Sequence, residues 1–190
     1  MVLPIVALGH PVLRKKTEAI SRDYPGLDEI IRDMFETMYN AHGVGLAAPQ
    51  VNLSIRLFIV DGSPMDGEGA DPSEVMLDFK KVFINPQKLE ETGNPWAYEE
   101  GCLSIPDIRE DVMRQPTITL RYQNEQFEEI TETFSGMKAR IIQHEYDHLE
   151  GVLFTDYVSG LRKKLLRNRL ARISKGQIPL TYPMKFPNKR

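Results

Sequence analysis

His144-Glu145-Tyr146-Asp147-His148 reads His-Glu-x-x-His, a spacing that puts both imidazoles on one face of a helix with Glu145 at their edge. Two neutral histidines and a displaced carboxylate are the parts of a hydrolytic metal centre. The histidines hold a divalent cation and the glutamate moves protons for water. The surrounding residues predict the helix. Ser135 stands at the N-cap, Met137 to Leu149 contains neither proline nor glycine, and Gly151 supplies a C′ stop. Ile141, His144, Glu145 and His148 fall at i, i+3, i+4 and i+7, while Ile142, Tyr146 and Leu149 form a second apolar stripe. A helix with two apolar sides is mostly buried. Two histidines and a glutamate buried among aliphatics are costly unless something pairs them, and a metal does so. The alternative is a surface helix with two solvated histidines.

Two ligands do not close a site. One group of peptidases continues the motif to a third histidine, but that position here is Phe154. Another takes a later glutamate, and neither Glu nor His follows Glu150. The third ligand is therefore upstream or is Asp156. Upstream stand His10, His42, Cys102 and several carboxylates. Cys102 is the only cysteine and sits in Glu100-Gly101-Cys102-Leu103-Ser104. A lone buried cysteine is usually a small hydrophobe. The need for an upstream ligand, and a glycine that lets backbone approach closely, favour thiolate ligation. His10 before Pro11 and His42 before Gly43 read as turn or helix-end residues.

With Cys102 beside the His-Glu-x-x-His helix, the sequence resembles the peptide deformylases. Three separated segments carry the resemblance, in the family's order: Gly43-Val44-Gly45-Leu46-Ala47-Ala48-Pro49-Gln50, then Glu100-Gly101-Cys102-Leu103-Ser104, then Gln143-His144-Glu145-Tyr146-Asp147-His148-Leu149. The first also fits the dinucleotide pattern G-x-G-x-x-A, but that needs a strand before and a helix after. Here a helical pattern precedes and Pro49 follows.

The resemblance implies a hydrolase that takes the formyl group from N-formylmethionyl nascent peptides and releases formate. It implies an α+β fold in which antiparallel sheets surround the central metal-binding helix. Cys102, His144 and His148 would hold one divalent ion, ferrous iron by resemblance, although two nitrogens and a sulfur also suit Zn, Ni or Co. Glu145 would shuttle the proton, and the Gln50 side chain and Leu103 N–H would hold the oxyanion. Val44, Met137 and Ile141 would form the methionine slot, with Glu100 and Gly101 nearby, and Gly45 would line the cleft by its backbone. Arg140 falls where an aliphatic wall is expected. Two other readings stand beside this one. One is a zinc peptidase supplemented by a cysteine. The other is a non-catalytic ribosome-binding module whose structural metal is closed by a fourth ligand such as Asp156 or His10.

The 190 residues suit one catalytic domain spanning 1–190, with 41% hydrophobic and 27% charged residues as in an ordinary globule. No apolar run approaches membrane-spanning length, Met1 to Gly9 lacks a basic leader, and a thiolate ligand favours a reducing cytoplasm. The net charge of −3 hides an asymmetry. Residues 161–190 carry ten Lys/Arg and no acid, leaving 14 basic against all 27 acidic side chains elsewhere. Leu161, Leu165, Leu166, Leu170 and Ile173 sit at helical spacing, so a basic amphipathic helix is expected from about Val158 to Ser174, with a tail after Gln177. It reads either as the solvated face of a packed terminal helix or as a nucleic-acid contact. Given the resemblance, the nucleic acid would be ribosomal RNA near the nascent-chain exit.

Elsewhere the pattern predicts a helix over Leu27–Ala41, a strand over Ile55–Asp61, and a mobile loop over Gly62–Pro72. A strand over Val82–Leu89 contains Pro86, which implies an edge or a bulge. Thr117–Tyr122 and Gln126–Glu132 are expected to form a hairpin.

Overall fold

The helix expected from the histidine spacing runs from Gly136 to Leu149 in a computed structural model that describes residues 1–65, 76 and 78–187. In chain order the elements are β1 (Ile5–Val6), α1 (Leu27–Asn40), β2 (Gly45–Ala47), β3 (Leu57–Asp61), β4 (Lys80–Thr92), β5 (Trp96–Cys102), β6 (Ile105–Arg114), β7 (Thr117–Gln123), β8 (Glu129–Ser135), α2 (Gly136–Leu149), α3 (Gly160–Ser174) and β9 (Met184–Lys185). The arrangement is α+β, with three α-helices among the described residues.

Five antiparallel strands form a sheet in the order β2-β3-β4-β7-β8. Its face packs Phe58, Val60, Phe83, Ile118, Leu120 and Phe134 against Ala139, Ile141, Ile142, Tyr146 and Leu149 of α2. On its other side Leu27, Ile31, Met34 and Met38 of α1 close a second apolar cluster with Leu57, Ile59, Val82 and Ile84. These four α1 positions fall on one helical stripe. A third cluster joins Ile105, Ile108 and Val112 of β6 to Leu166 and Ile173 of α3.

The strand containing Pro86 is longer than expected and lies at the centre of the sheet, not at its edge. Proline is tolerated there because the β4–β7 register shifts between Ile84 and Gln87, and the missing N–H falls in that bulge. Asn85 beside it has φ 51°. The Tyr146 hydroxyl of α2 reaches the bulge, accepting from Lys88 N–H at 3.3 Å and from Arg56 at 2.9 Å.

β8 runs into α2 without a loop. Ser135 occupies the N-cap position, but its hydroxyl makes no capping bond. It is an exposed strand residue still paired with Thr117. The turn into the helix is made by Gly136 at φ 59°, a left-handed conformation that costs a residue with Cβ. The β7–β8 hairpin forms as expected, with β8 starting three residues later because Asn124 Oδ1 accepts from Gln126 and Glu128 N–H and builds a wider turn. Gly151 follows α2 at φ 73°. The expected loop over Gly62–Pro72 falls mostly outside the described residues; within it, Ser63–Met65 form a 3-10 turn.

Candidate metal centre

The cleft between β2, the β5–β6 hairpin and α2 has a volume of about 820 Å3. Cys102 ends β5 where the register with β6 breaks: Gly101 pairs with Arg109, but Cys102 pairs with Ile105. That break directs the thiol across the cleft to α2. Cys102 Sγ lies 3.4 Å from His148 Nε2. The ligating atoms of Cys102, His144 and His148 all lie within 4.8 Å of one another. A tetrahedral ion at about 2.3 Å from sulfur and about 2.0 Å from nitrogen separates such atoms by roughly 3.3–3.6 Å, so the donor set fits a divalent cation.

The other nitrogen of His144 is already committed. Nδ1 lies 3.0 Å from Glu100 Oε2, which fixes the tautomer and leaves Nε2 for ligation. Glu100 also accepts from Arg114 at 2.6 and 3.0 Å and from Arg140 at 2.8 Å. Burial would raise this carboxylate, yet His144 and Arg114 hold it down to about 2. Arg114 also donates to Asp147 of α2 at 2.8 Å. Expected beside the substrate, Glu100 does border the cleft, but its carboxylate is taken up by these cations behind His144.

Glu145 has the opposite surroundings. It is buried, its Oε2 has no partner among the described residues, and burial pushes it up to about 7. The charge of a nearby cation acts in the other direction. Its carboxylate is packed against β2: a Cβ on Gly45 would stand 2.5 Å from Glu145 Oε1. Only glycine leaves room for it there.

The Gln50 side chain is locked at both ends. Oε1 accepts from Ala47 N–H at 2.9 Å, and Nε2 lies 3.5 Å from Cys102 Sγ and 3.4 Å from Ser104 Oγ. Val44, Gly45, Gly101, Leu103, Met137 and Ile141 all border the cleft. The chain after Gly45-Leu46-Ala47 makes a 3-10 turn, not the helix that a dinucleotide site needs. Arg140 borders the cleft, but its guanidinium is taken up by the Glu100 carboxylate and the Val112 and Trp96 carbonyls, and it stacks on Trp96 at 4.3 Å. Three other ligand candidates lie outside the cluster. His10 Nδ1 caps the turn at Pro11–Arg14, Asp156 pairs with Arg14, and His42 takes a left-handed conformation after α1.

A family model described as polypeptide deformylase matches residues 2–164 of this chain. The chain belongs to the polypeptide deformylase family. It is 59% identical to a peptide deformylase of Christiangramia forsetii over 99% of this chain and 97% of that protein, and 50% identical to one of Cytophaga hutchinsonii over the whole of both. Among solved structures, a peptide deformylase from Legionella pneumophila superposes with a TM-score of 0.79 at 33% identity, covering 93% of this chain and 98% of that one. The deformylase of Thermotoga maritima gives 0.72 at 40% identity over 84% and 99%. Deformylases are metal-dependent hydrolases that remove the formyl group from the N-terminal formylmethionine of nascent polypeptides, and this chain is an enzyme of that kind. No helix among the described residues is long and apolar enough to cross a membrane.

Sequence reasoning missed Arg114, which backs the deformylase site through Glu100 and Asp147, and part of the cleft lining. Arg114 had a signal: Ile108, Glu110, Val112 and Arg114 alternate on β6 and point inward. Tyr182, Thr181 and Arg169 also border the cleft, and nothing local marks them, since they arrive from a distant part of the chain.

Proposed function

We propose that Cys102 Sγ, His144 Nε2 and His148 Nε2 hold a single divalent ion, ferrous in the cell, and that Glu145, Gln50 and Leu103 carry out deformylation around it. The observation that carries this reading is the convergence of one thiol and two imidazoles beside a buried, unpaired carboxylate. An ion held there would supply a Lewis acid that lowers the pKa of water toward neutrality and so makes a nucleophile available at physiological pH. Glu145 takes the proton from the attacking water and delivers it to the departing amine nitrogen, producing formate and a free N-terminal methionine. Gln50 Nε2 and the Leu103 N–H stabilise charge on the formyl oxygen; one such donor is typically worth about 2.7–4 kcal/mol.

Val44, Met137 and Ile141 provide the apolar slot for the methionine side chain, with Gly101 beside it. β2 is an edge strand of the sheet, so an extended peptide can add to it by backbone hydrogen bonds regardless of its later side chains. The peptidase and structural-metal readings receive less support. A structural site is closed by four protein ligands, and Asp156 and His10 are engaged elsewhere.

The exposed Lys163, Lys164, Arg167 and Arg172 of α3 form the surface by which we read ribosomal RNA contact in a cytoplasmic enzyme. We take 1–190 as one catalytic unit.

Anaerobic metal analysis coupled to a formate-release assay tests the central reading. One ion per chain and turnover of formyl-Met peptides, with none of acetyl-Met peptides, is expected. A fully loaded Cys102→Ala variant, or equal cleavage of internal peptide bonds, would sink it.

A further inference from the structure

Two distant parts of the chain grip the segment that carries Cys102. β9 pairs in parallel with β1, with Ile5 N–H donating to the Pro183 carbonyl and Ala7 N–H to that of Lys185, each at 2.9 Å. Just past β1, Leu8 N–H donates to the Ser104 carbonyl at 2.9 Å. Just before β9, the half-buried Tyr182 donates its hydroxyl to the Leu103 carbonyl at 2.7 Å. Gln50 Nε2 approaches the same segment from the cleft side. Farther along, Arg169 of α3 bonds to the carbonyl of Asp107, whose φ is 61°.

Of these contacts only the one from Tyr182 is made to the backbone of Leu103. Tyr182 lies beyond residue 164, where the family match ends, yet it borders the cleft. A residue has two soft torsions between rigid peptide planes. The Leu103 carbonyl shares its plane with the Ser104 N–H. The Leu103 N–H lies in the plane before it, next to Cys102, which pairs with Ile105. With the chain held on that side, pinning the carbonyl narrows both Leu103 torsions, and so the directions open to the N–H that the proposed reaction aims at the formyl oxygen. Burial pushes the Tyr182 phenol up, so it remains a donor over the whole working range of pH.

We propose that Tyr182 is a positioning residue for deformylation, narrowing the Leu103 torsions through its carbonyl so that the Leu103 N–H faces the developing oxyanion. This rests on the reading of Leu103 as an oxyanion donor. Tyr182→Phe keeps the ring in the wall and removes only the hydroxyl. Its effect is read with full-length protein brought to the same metal content as the parent, through kcat and KM for a formyl-Met peptide and through amide hydrogen exchange over 102–105.

The expected result is a kcat about tenfold lower, KM within about twofold, and faster exchange confined to 102–105. Parent kcat with parent exchange overturns the proposal and leaves the role of Leu103 intact. Faster exchange with parent kcat removes Leu103 from the reaction and the proposal with it. A kcat loss accompanied by faster exchange throughout α2 and the sheet marks Tyr182 as a general stability residue and also overturns it.

Discussion

α2 and α3 are helices of 14 and 15 residues, and their sequences mean different things. Nine residues of α2 are buried, four of them polar or charged: Arg140, Gln143, Glu145 and His148. Only Leu166 and Ile173 of α3 are buried. A charge buried in α2 must find a partner or shift its pKa, as Glu145 does, so its residue types constrain the surroundings tightly. A charge on α3 can be satisfied by water, so the same kind of residue constrains little. Substitutions should therefore cause steep functional losses on α2 and shallow ones on most of α3.

The largest effect belongs to Glu145. Glu145→Ala should retain the ion by metal analysis and lose about two to four orders of magnitude in kcat/KM; full activity would remove Glu145 as the proton carrier. Next is Gly45→Ala. The added methyl meets Glu145 Oε1 at 2.5 Å, and displacement of a reacting group by about an ångström costs on the order of a hundredfold. A formate-release rate equal to the parent would show that the carboxylate has room to move.

Two predictions concern α3. Leu166→Ala removes a side chain that is only 5% exposed and should destabilise by about 2–3 kcal/mol in urea unfolding. Leu165→Ala, at 65% exposure, should stay within about 0.5 kcal/mol. Equal costs at the two positions would erase the contrast. Smallest of all, replacing Lys163, Lys164 and Arg167 together by alanine should leave peptide turnover within about twofold. It should also flatten the salt dependence of ribosome binding by up to about one unit of slope per lost phosphate contact. An unchanged slope would make the basic face a solvated surface and nothing more.

Deleting α3 would not separate these possibilities. Arg162 is held by Glu110 at 2.6 and 3.0 Å, Arg169 by the Asp107 carbonyl, and Tyr182 by Leu103. Removing the helix together with the tail beyond it would disturb the cleft itself.

The same contrast explains what the sequence made readable. α2 could be placed to within a residue because its polar and apolar positions obey one period and its ends are marked at 135 and 151. Cys102 could be favoured among several upstream candidates because Gly101 beside it lets backbone approach and both upstream histidines read as turn or helix-end residues. The strand containing Pro86 was readable as a bulge but not as the middle of a sheet, because its neighbours β3 and β7 are chosen by long-range pairing. Leu161 and Leu165 share helical spacing with Leu166, but periodicity cannot say which side a partner will cover, and both are exposed. Glu100 reads as acidic and near the thiol. Its burial among Arg114, Arg140 and His144 depends on a strand and a helix that come later in the chain.

Cys102 rides on the β5–β6 hairpin, while His144 and His148 ride on the helix packed against the main sheet. Any ion shared by the three is thus also a rivet across a mechanical seam. Polar stitches cross it as well: Glu100 to His144, Arg114 to Asp147, and Arg140 to Glu100, Val112 and Trp96. Chelation should then loosen the hairpin first while leaving the five-stranded sheet standing, so cofactor loss would show as a hinge coming undone before any melting.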